Sequence, residues 1–273
     1  MPPVFGILLI STMKKLVILL LLLVVGCSTQ GPRIISQSPY ITHTLRYLGQ
    51  EKNIVGVSRY DSLNLPRTGG ILDPDKQVIA DLEPDYIFTS DWAAQDVLRE
   101  ATPEGTKSIV LQGFHKMSEI EDNIRAIAEI LGLPEGDRMA DEFAENWKKL
   151  ANTVEGNERK ALLLSSCKGE PFSFGRNTYL YDLFSNAGFT LVETHPSIRH
   201  VNKSGDISSV DELLRMTKPD IVFVLQDVDH GCSVDMTEGD YEVVLLNGGH
   251  FVYPAPVLMK GIKDLKRVVS GLK

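Results

Sequence analysis

The sequence predicts an α/β protein with two parallel-sheet lobes joined by a single long helix, and a ligand cleft between the lobes. Three observations carry that prediction. From residue 33 onward, short β-rich runs alternate with helical patterns; the alternation occurs twice; and a purely helical segment separates the two occurrences.

The N-terminus is read apart from the fold. Met13-Lys14-Lys15 is a short basic start, residues 16–25 form an unbroken apolar run, and "VVGC" ends at Cys27. Ten residues at about 1.5 Å each cover about half of a ~30 Å hydrocarbon core, so a secretion signal fits better than a spanning helix. The pattern resembles a bacterial lipoprotein signal, with residues 1–26 removed, Cys27 lipidated and the true start at Met13. The mature chain is then 247 residues with 26 basic and 36 acidic side chains, a net charge near -10. Nucleic acid is a poor partner for such a surface.

In the first lobe, 27–118, strands are expected at 33–36, 54–58, 86–89 and 108–111, with helices at 41–48 and 76–82. A connector follows at 119–156. Ile120, Ile124, Ile127 and Leu131 repeat at helical spacing, "GLPEG" breaks the pattern, and Met139, Phe143, Trp147 and Leu150 resume it as the long inter-lobe helix. The second lobe, 157–273, repeats the architecture with strands at 160–165, 190–193, 221–225 and 241–246 and helices at 178–187 and 209–216.

Ligands of open parallel sheets bind beyond the carboxyl ends of the strands. The segments leaving those ends are 36–40, 58–62, 90–92 and 112–115 in lobe one, and 166–176, 194–200, 226–232 and 247–251 in lobe two. Five of the six histidines fall there, with Trp92, Phe174 and two cysteines.

"RIISQSPYITHTLRYLG", "NIVGVSRYD", "TGGILDPDKQVIADLEPDYIF", "FGRNTYLYDLFSNAGF" and "SSVDELLRMTKPDIVFV" resemble, in this order, the iron/B12 periplasmic-binding domain, the substrate-binding component of ABC importers for cobalamin, haem and ferric siderophores. The resemblance runs from about Arg33 to the C-terminus. It implies two α/β lobes on one long helix, little hinge motion, a metal chelate held between the lobes, and a permease and ATPase complex as partner. It also implies an exported monomer in the periplasm or on the cell surface, held to the membrane through Cys27, with no catalytic residue and no catalytic cofactor. One glutamate per lobe is expected to dock the permease. Glu212 matches the second-lobe position, whereas the first-lobe position is Gln77, which cannot form an ion pair; Asp73 or Asp75 lies nearby as a substitute. Val257 stands where the family often has arginine.

Trp92 is a candidate wall residue, since an aromatic ring offers a macrocycle or a catecholate a large flat face at little entropic cost. Tyr40, Phe174 and Tyr253 share that reading by position, and a tyrosine can also ligate ferric iron as phenolate. His115, His230 and His250 follow strand ends, so their imidazoles are candidates for an axial position on haem iron or cobalt, or for a bare transition-metal site. His195 and His200 bracket an overhanging loop, while His43 lies within the first helix and caps or packs there. Arg176, just before a helix N-terminus, suits an anionic group of the ligand. Cys167 and Cys232 either form a disulfide, which export permits, or both face the ligand. In "LQDVDHGC" the cluster Asp227, Asp229, His230 and Cys232 has no accompanying catalytic set. No G-x-S-x-G, Walker, H-E-x-x-H or G-x-G-x-x-G motif occurs. Besides the chelate receptor, a receptor for bare Zn²⁺ or Mn²⁺ and a chelatase-like enzyme remain open on sequence.

Overall fold

The computed structural model describes residues 31–167, 170–202, 205–226 and 234–272. Residues from Arg33 to the C-terminus form one compact unit. The first lobe runs β1 (Ile34–Ser36), α1 (Pro39–Tyr47), β2 (Ile54–Val57), α2 (Lys76–Asp81), β3 (Tyr86–Ser90), α3 (Gln95–Ala101) and β4 (Lys107–Leu111). Its sheet is wholly parallel, in the order β2-β1-β3-β4. Successive strand residues face opposite ways. Ile34 and Phe88 therefore join the core beneath α1, while Ile35 and Ile87 meet Ile79 of α2 and Ala101 of α3 on the other face.

Two helices, α4 (Met117–Ile130) and α5 (Gly136–Ala151), form the connector. Gly132, with φ at 66°, supplies the left-handed residue that ends α4. Gly136 lets the helices approach, because a Cβ there would lie 2.1 Å from Cβ of Ala128. The predicted stripe is buried as expected at Ile120, Ile124 and Ile127 of α4 and at Phe143 and Trp147 of α5.

The second lobe contains β5 (Lys160–Cys167), β6 (Glu170–Ser173), α6 (Tyr179–Asn186), β7 (Thr190–Leu191), β8 (Arg199–His200), α7 (Val210–Thr217), β9 (Ile221–Gln226), β10 (Glu242–Asn247) and α8 (Leu258–Gly271). Strands β10, β9 and β5 are parallel neighbours, and β7 pairs parallel with the start of β5. The lobe is not purely parallel, however: β6 runs antiparallel to the end of β5, and β8 antiparallel to β6. Neither strand was expected, because four- and two-residue segments are too short to show a period. The helices α3 and α8 were likewise unassigned by sequence.

One apolar cluster includes Ile34 and Phe88 of the first sheet, Ile120 and Phe143 of the connector, and Leu163, Phe223 and Leu265 of the second lobe. The inner faces of both sheets thus bury against a shared helical layer. Each fully buried Leu, Ile or Phe in it contributes about 1.5–3 kcal/mol, so moving one lobe against the other would disturb a continuous core. Among the described residues, no helix is long and apolar enough to cross a membrane.

Candidate functional site in the inter-lobe cleft

Because β1 to β4 are parallel, the segments after them leave at one edge of the first sheet. The floor there is polar and buried: Gln37, Ser38, Ser58 and Asp61 are all under 9% exposed. Asp61 Oδ1 accepts from the Leu63 N–H at 2.9 Å, and Gln37 Nε2 donates to the Thr68 carbonyl.

Phe114 organises the aromatic part of the site. Trp92 stacks on it with ring centroids 4.2 Å apart and planes 22° apart. Tyr40 and Tyr179 meet the same ring edge-on, at 5.5 and 6.3 Å. The Tyr179 N–H also donates to the Phe114 carbonyl, and its hydroxyl donates to the Phe251 carbonyl at 2.7 Å, so the platform is stitched to the second lobe. Trp92 remains 53% exposed. A large apolar ring, half open and stacked on a fixed neighbour, is suited to take the flat face of a ligand.

His115 follows Phe114 in the chain. Its Nδ1 lies 3.2 Å from Glu119 Oε1, and its backbone N–H donates to Glu119 Oε2 at 3.0 Å. The imidazole is exposed while the carboxylate is nearly covered, with side chains 57% and 11% accessible.

In lobe two a buried charge holds the loop after β7. Glu193 is 1% exposed; its Oε1 accepts from Arg199 Nη2 at 3.1 Å and from the His195 N–H at 2.8 Å, and its Oε2 accepts from Ser173 Oγ at 2.5 Å. Burial pushes the Glu193 carboxyl up, but the hydrogen bonds from Ser173, His195 and Arg199 outweigh it, leaving the group below its ordinary range. The loop after Glu193 presses on Gly175, where a Cβ would sit 2.2 Å from the carbonyl oxygens of both His195 and Ser197.

The remaining expected residues fall as follows. Tyr40, at 1% exposure, is a core residue rather than a cleft wall; its hydroxyl donates to the Leu111 carbonyl at 2.9 Å, and burial raises its pKa, which opposes a phenolate ligand. Phe174 is also in the core at 4% exposure, edge-on to Phe172. Arg176 is exposed, but its Nε and Nη2 both donate to the Thr194 carbonyl, at 2.9 and 2.6 Å, so it clamps the overhanging loop. His200 is exposed on β8, 6.1 Å from the Phe172 ring. His195 is half-buried, with Nδ1 within 3.0 Å of the Ser197 oxygen. His250 is half-buried and anchored through Nδ1 to Asp264 Oδ2 at 2.7 Å. Tyr253 packs 5.4 Å from His43. Burial lowers the His43 pKa, with Arg46, Lys260 and His250 adding to the effect and Asp61 opposing it, which favours the neutral ring.

Gln77 is exposed, its Nε2 donating to Asp81 Oδ1 at 2.7 Å. Glu212 caps its helix: Oε2 accepts from the Ser208 N–H at 2.9 Å and from Ser208 Oγ at 2.6 Å. These bonds hold its carboxyl below the ordinary range. Cys27, Asp227, Asp229, His230 and Cys232 lie outside the described residues, as does the side chain of Cys167. Among the described residues, no three His, Cys, Asp or Glu side chains are grouped to hold a metal ion. Phe114, Glu119, Glu193 and Arg199 were not singled out by sequence, although Phe114 and Arg199 lie in strand-end segments already marked as cleft.

Two α/β lobes share one helical core, and the segment after β4 is bonded to α6 of the second lobe through the Tyr179 N–H and the Phe114 carbonyl. The family model described as periplasmic binding protein matches residues 34–243, and the chain belongs to that family. No curated protein sequence matches the chain. Among solved structures it is similar to a periplasmic vitamin B12 binding protein of Vibrio cholerae, with a TM-score of 0.69 and 20% identity over 88% of this chain and 96% of that one. A periplasmic haem binding protein of Pseudomonas aeruginosa matches with a TM-score of 0.70 and 17% identity, covering 88% and 93%. A siderophore binding protein bound to two acinetobactin molecules and ferric iron matches with a TM-score of 0.64 and 14% identity, covering 88% and 94%. At these identities the likeness establishes the fold.

Proposed function

We propose that this protein receives a metal chelate, of the corrinoid, haem or ferric-siderophore class, in the inter-lobe cleft and delivers it to an ABC permease and its ATPase. The observation that carries this reading is Trp92, half exposed and stacked on Phe114 at the strand ends of lobe one. The three similar structures, which bind vitamin B12, haem and a ferric siderophore by their own descriptions, support the ligand class. The work is capture and release, without turnover. On this reading residues 27–118, 119–156 and 157–273 are first lobe, connector and second lobe, and the protein acts as an exported monomer.

Cys27 is the proposed membrane anchor, since several acyl chains on one residue give the stable attachment that a single chain does not. Glu212 is the proposed docking contact of lobe two. Its Oε1 has no hydrogen-bond partner among the described residues, so the carboxylate can cap its helix and still meet a permease arginine. Exposed Gln77, with Asp73 and Asp75 beside it, is the corresponding face of lobe one.

Titration of the purified protein with haem, aquocobalamin, a ferric tris-catecholate and Zn²⁺, followed by absorbance and calorimetry, tests the proposal. Saturable binding of one chelate, without chemical change, is expected. Binding of Zn²⁺ alone would replace it with the bare-metal reading, and insertion of metal into a free tetrapyrrole with the chelatase-like one.

A further inference from the structure

We infer that His115 supplies an axial nitrogen to the metal of the bound chelate, with Glu119 as its positioning residue, and that the ligand is therefore a metallo-tetrapyrrole rather than a hexadentate ferric siderophore. The inference rests on the chelate reading above and narrows it.

Its basis is the carboxylate behind the imidazole. Glu119 can only accept, so the ring nitrogen facing it, Nδ1, carries the proton. The lone pair is then on Nε2, which makes no hydrogen bond to any described residue, on a side chain that is 57% exposed. A histidine whose far nitrogen donates to a carboxylate, fixing the tautomer and the ring orientation, is the usual arrangement around a metal-ligating imidazole.

Helix capping does not account for the ring. Glu119 reaches back to the backbone N–H of His115 at the start of α4, much as Glu212 reaches back to that of Ser208 at the start of α7. There a serine hydroxyl supplies the second bond, so the cap has no need of an imidazole.

The second observation is the neighbour in sequence. Phe114, the residue before His115, carries the stacked and half-exposed Trp92. The flat apolar face and the fixed nitrogen donor thus rest on consecutive residues, Phe114 and His115, of the segment after β4. A metallo-tetrapyrrole needs both: area for its macrocycle, and a ligand for an open axial position. On binding, one dative bond forms from Nε2 to the metal, one metal–oxygen bond to water breaks, and the oxidation state is unchanged. A ferric centre already held by six siderophore oxygens has no position for that nitrogen.

The test uses ferric haem, aquocobalamin, metal-free protoporphyrin IX and a ferric tris-catecholate against the wild type, His115→Ala, Glu119→Gln and Glu119→Leu. The wild type is expected to show the absorbance bands of an imidazole-ligated metal with haem or aquocobalamin. His115→Ala should lose those bands, regain them with added imidazole, and bind metal-free protoporphyrin as the wild type does. Glu119→Gln keeps an acceptor for Nδ1 and should resemble the wild type, whereas Glu119→Leu should weaken metal-dependent binding by about 10- to 100-fold. Unchanged bands and affinity in His115→Ala would overturn the inference while leaving the chelate proposal standing. Preference for the ferric tris-catecholate over both tetrapyrroles would do the same. Failure of all the chelates to bind would remove both.

Discussion

The strand-end segments of the two lobes are built by opposite means. Lobe one presents rings: Trp92 lies on Phe114, which is braced edge-on by Tyr40 and by Tyr179 from lobe two, and His115 is the next residue in the chain. Lobe two is pinned by a buried ion pair, Glu193 with Arg199, whose carboxylate also binds Ser173 and the backbone of His195. Stacked rings leave a face open while remaining fixed. A buried carboxylate leaves nothing open; it sets the course of a loop. On the proposed reading, lobe one meets the ligand and the described part of lobe two holds a loop in place.

That division is broken most severely by Glu193→Ala, which strands Arg199, 12% accessible, without its partner. A loss of about 3 kcal/mol is expected in urea unfolding, with chelate affinity retained in the folded fraction. A fall in affinity with stability intact would reverse the assignment. The same carboxylate gives a pH signature. Its pKa is held below the ordinary 4.5, so its contribution is complete above that value and is lost as pH falls through the folded value. The gap in melting temperature between wild type and Glu193→Gln should accordingly narrow below about pH 4.5 and stay constant above it.

Tyr179→Phe probes the seam between the lobes. It removes the bond to the Phe251 carbonyl and leaves that acceptor buried, at an expected cost of about 2 kcal/mol in stability. Trp92→Ala should do the reverse, leaving the unfolding midpoint nearly unchanged and weakening chelate binding about tenfold, or ~1.4 kcal/mol, in an absorbance titration. The smallest effect is expected from Glu212→Ala, a slight fall in the unfolding midpoint from the lost cap, with chelate affinity unaltered. Its stronger consequence should appear only as reduced stimulation of ATP hydrolysis in the reconstituted importer.

The division also explains what could be read from the sequence. The parallel strands, the connector and the repeated architecture were legible because each has a period: two for strands, 3.6 for helices, applied over enough residues to register. Trp92 and His115 were legible as candidates because ligands of parallel sheets bind beyond the strand ends, whatever the side chain. Tyr40 occupies the same kind of segment but turns inward to the Leu111 carbonyl, a choice made by packing and invisible in residue order. The antiparallel β6 and β8 were missed for their brevity. Glu193 and Arg199 were missed because a buried ion pair six residues apart, between a loop and a two-residue strand, has the composition of a solvated one. Glu119 was hidden differently. It lies four residues after His115, at a spacing found throughout helices, and only the bend of the chain into α4 shows that carboxylate and imidazole meet.

Trp147 is buried and Trp92 exposed, and they are the only two tryptophans in the chain. In a Trp147→Phe background the fluorescence of Trp92 therefore reports on the proposed site directly. Titration of that variant with haem and with aquocobalamin should quench the emission saturably at one equivalent, with the midpoint matching that of the absorbance change. Emission unchanged while a chelate binds would place the ligand away from the Trp92–Phe114 platform and contradict the site.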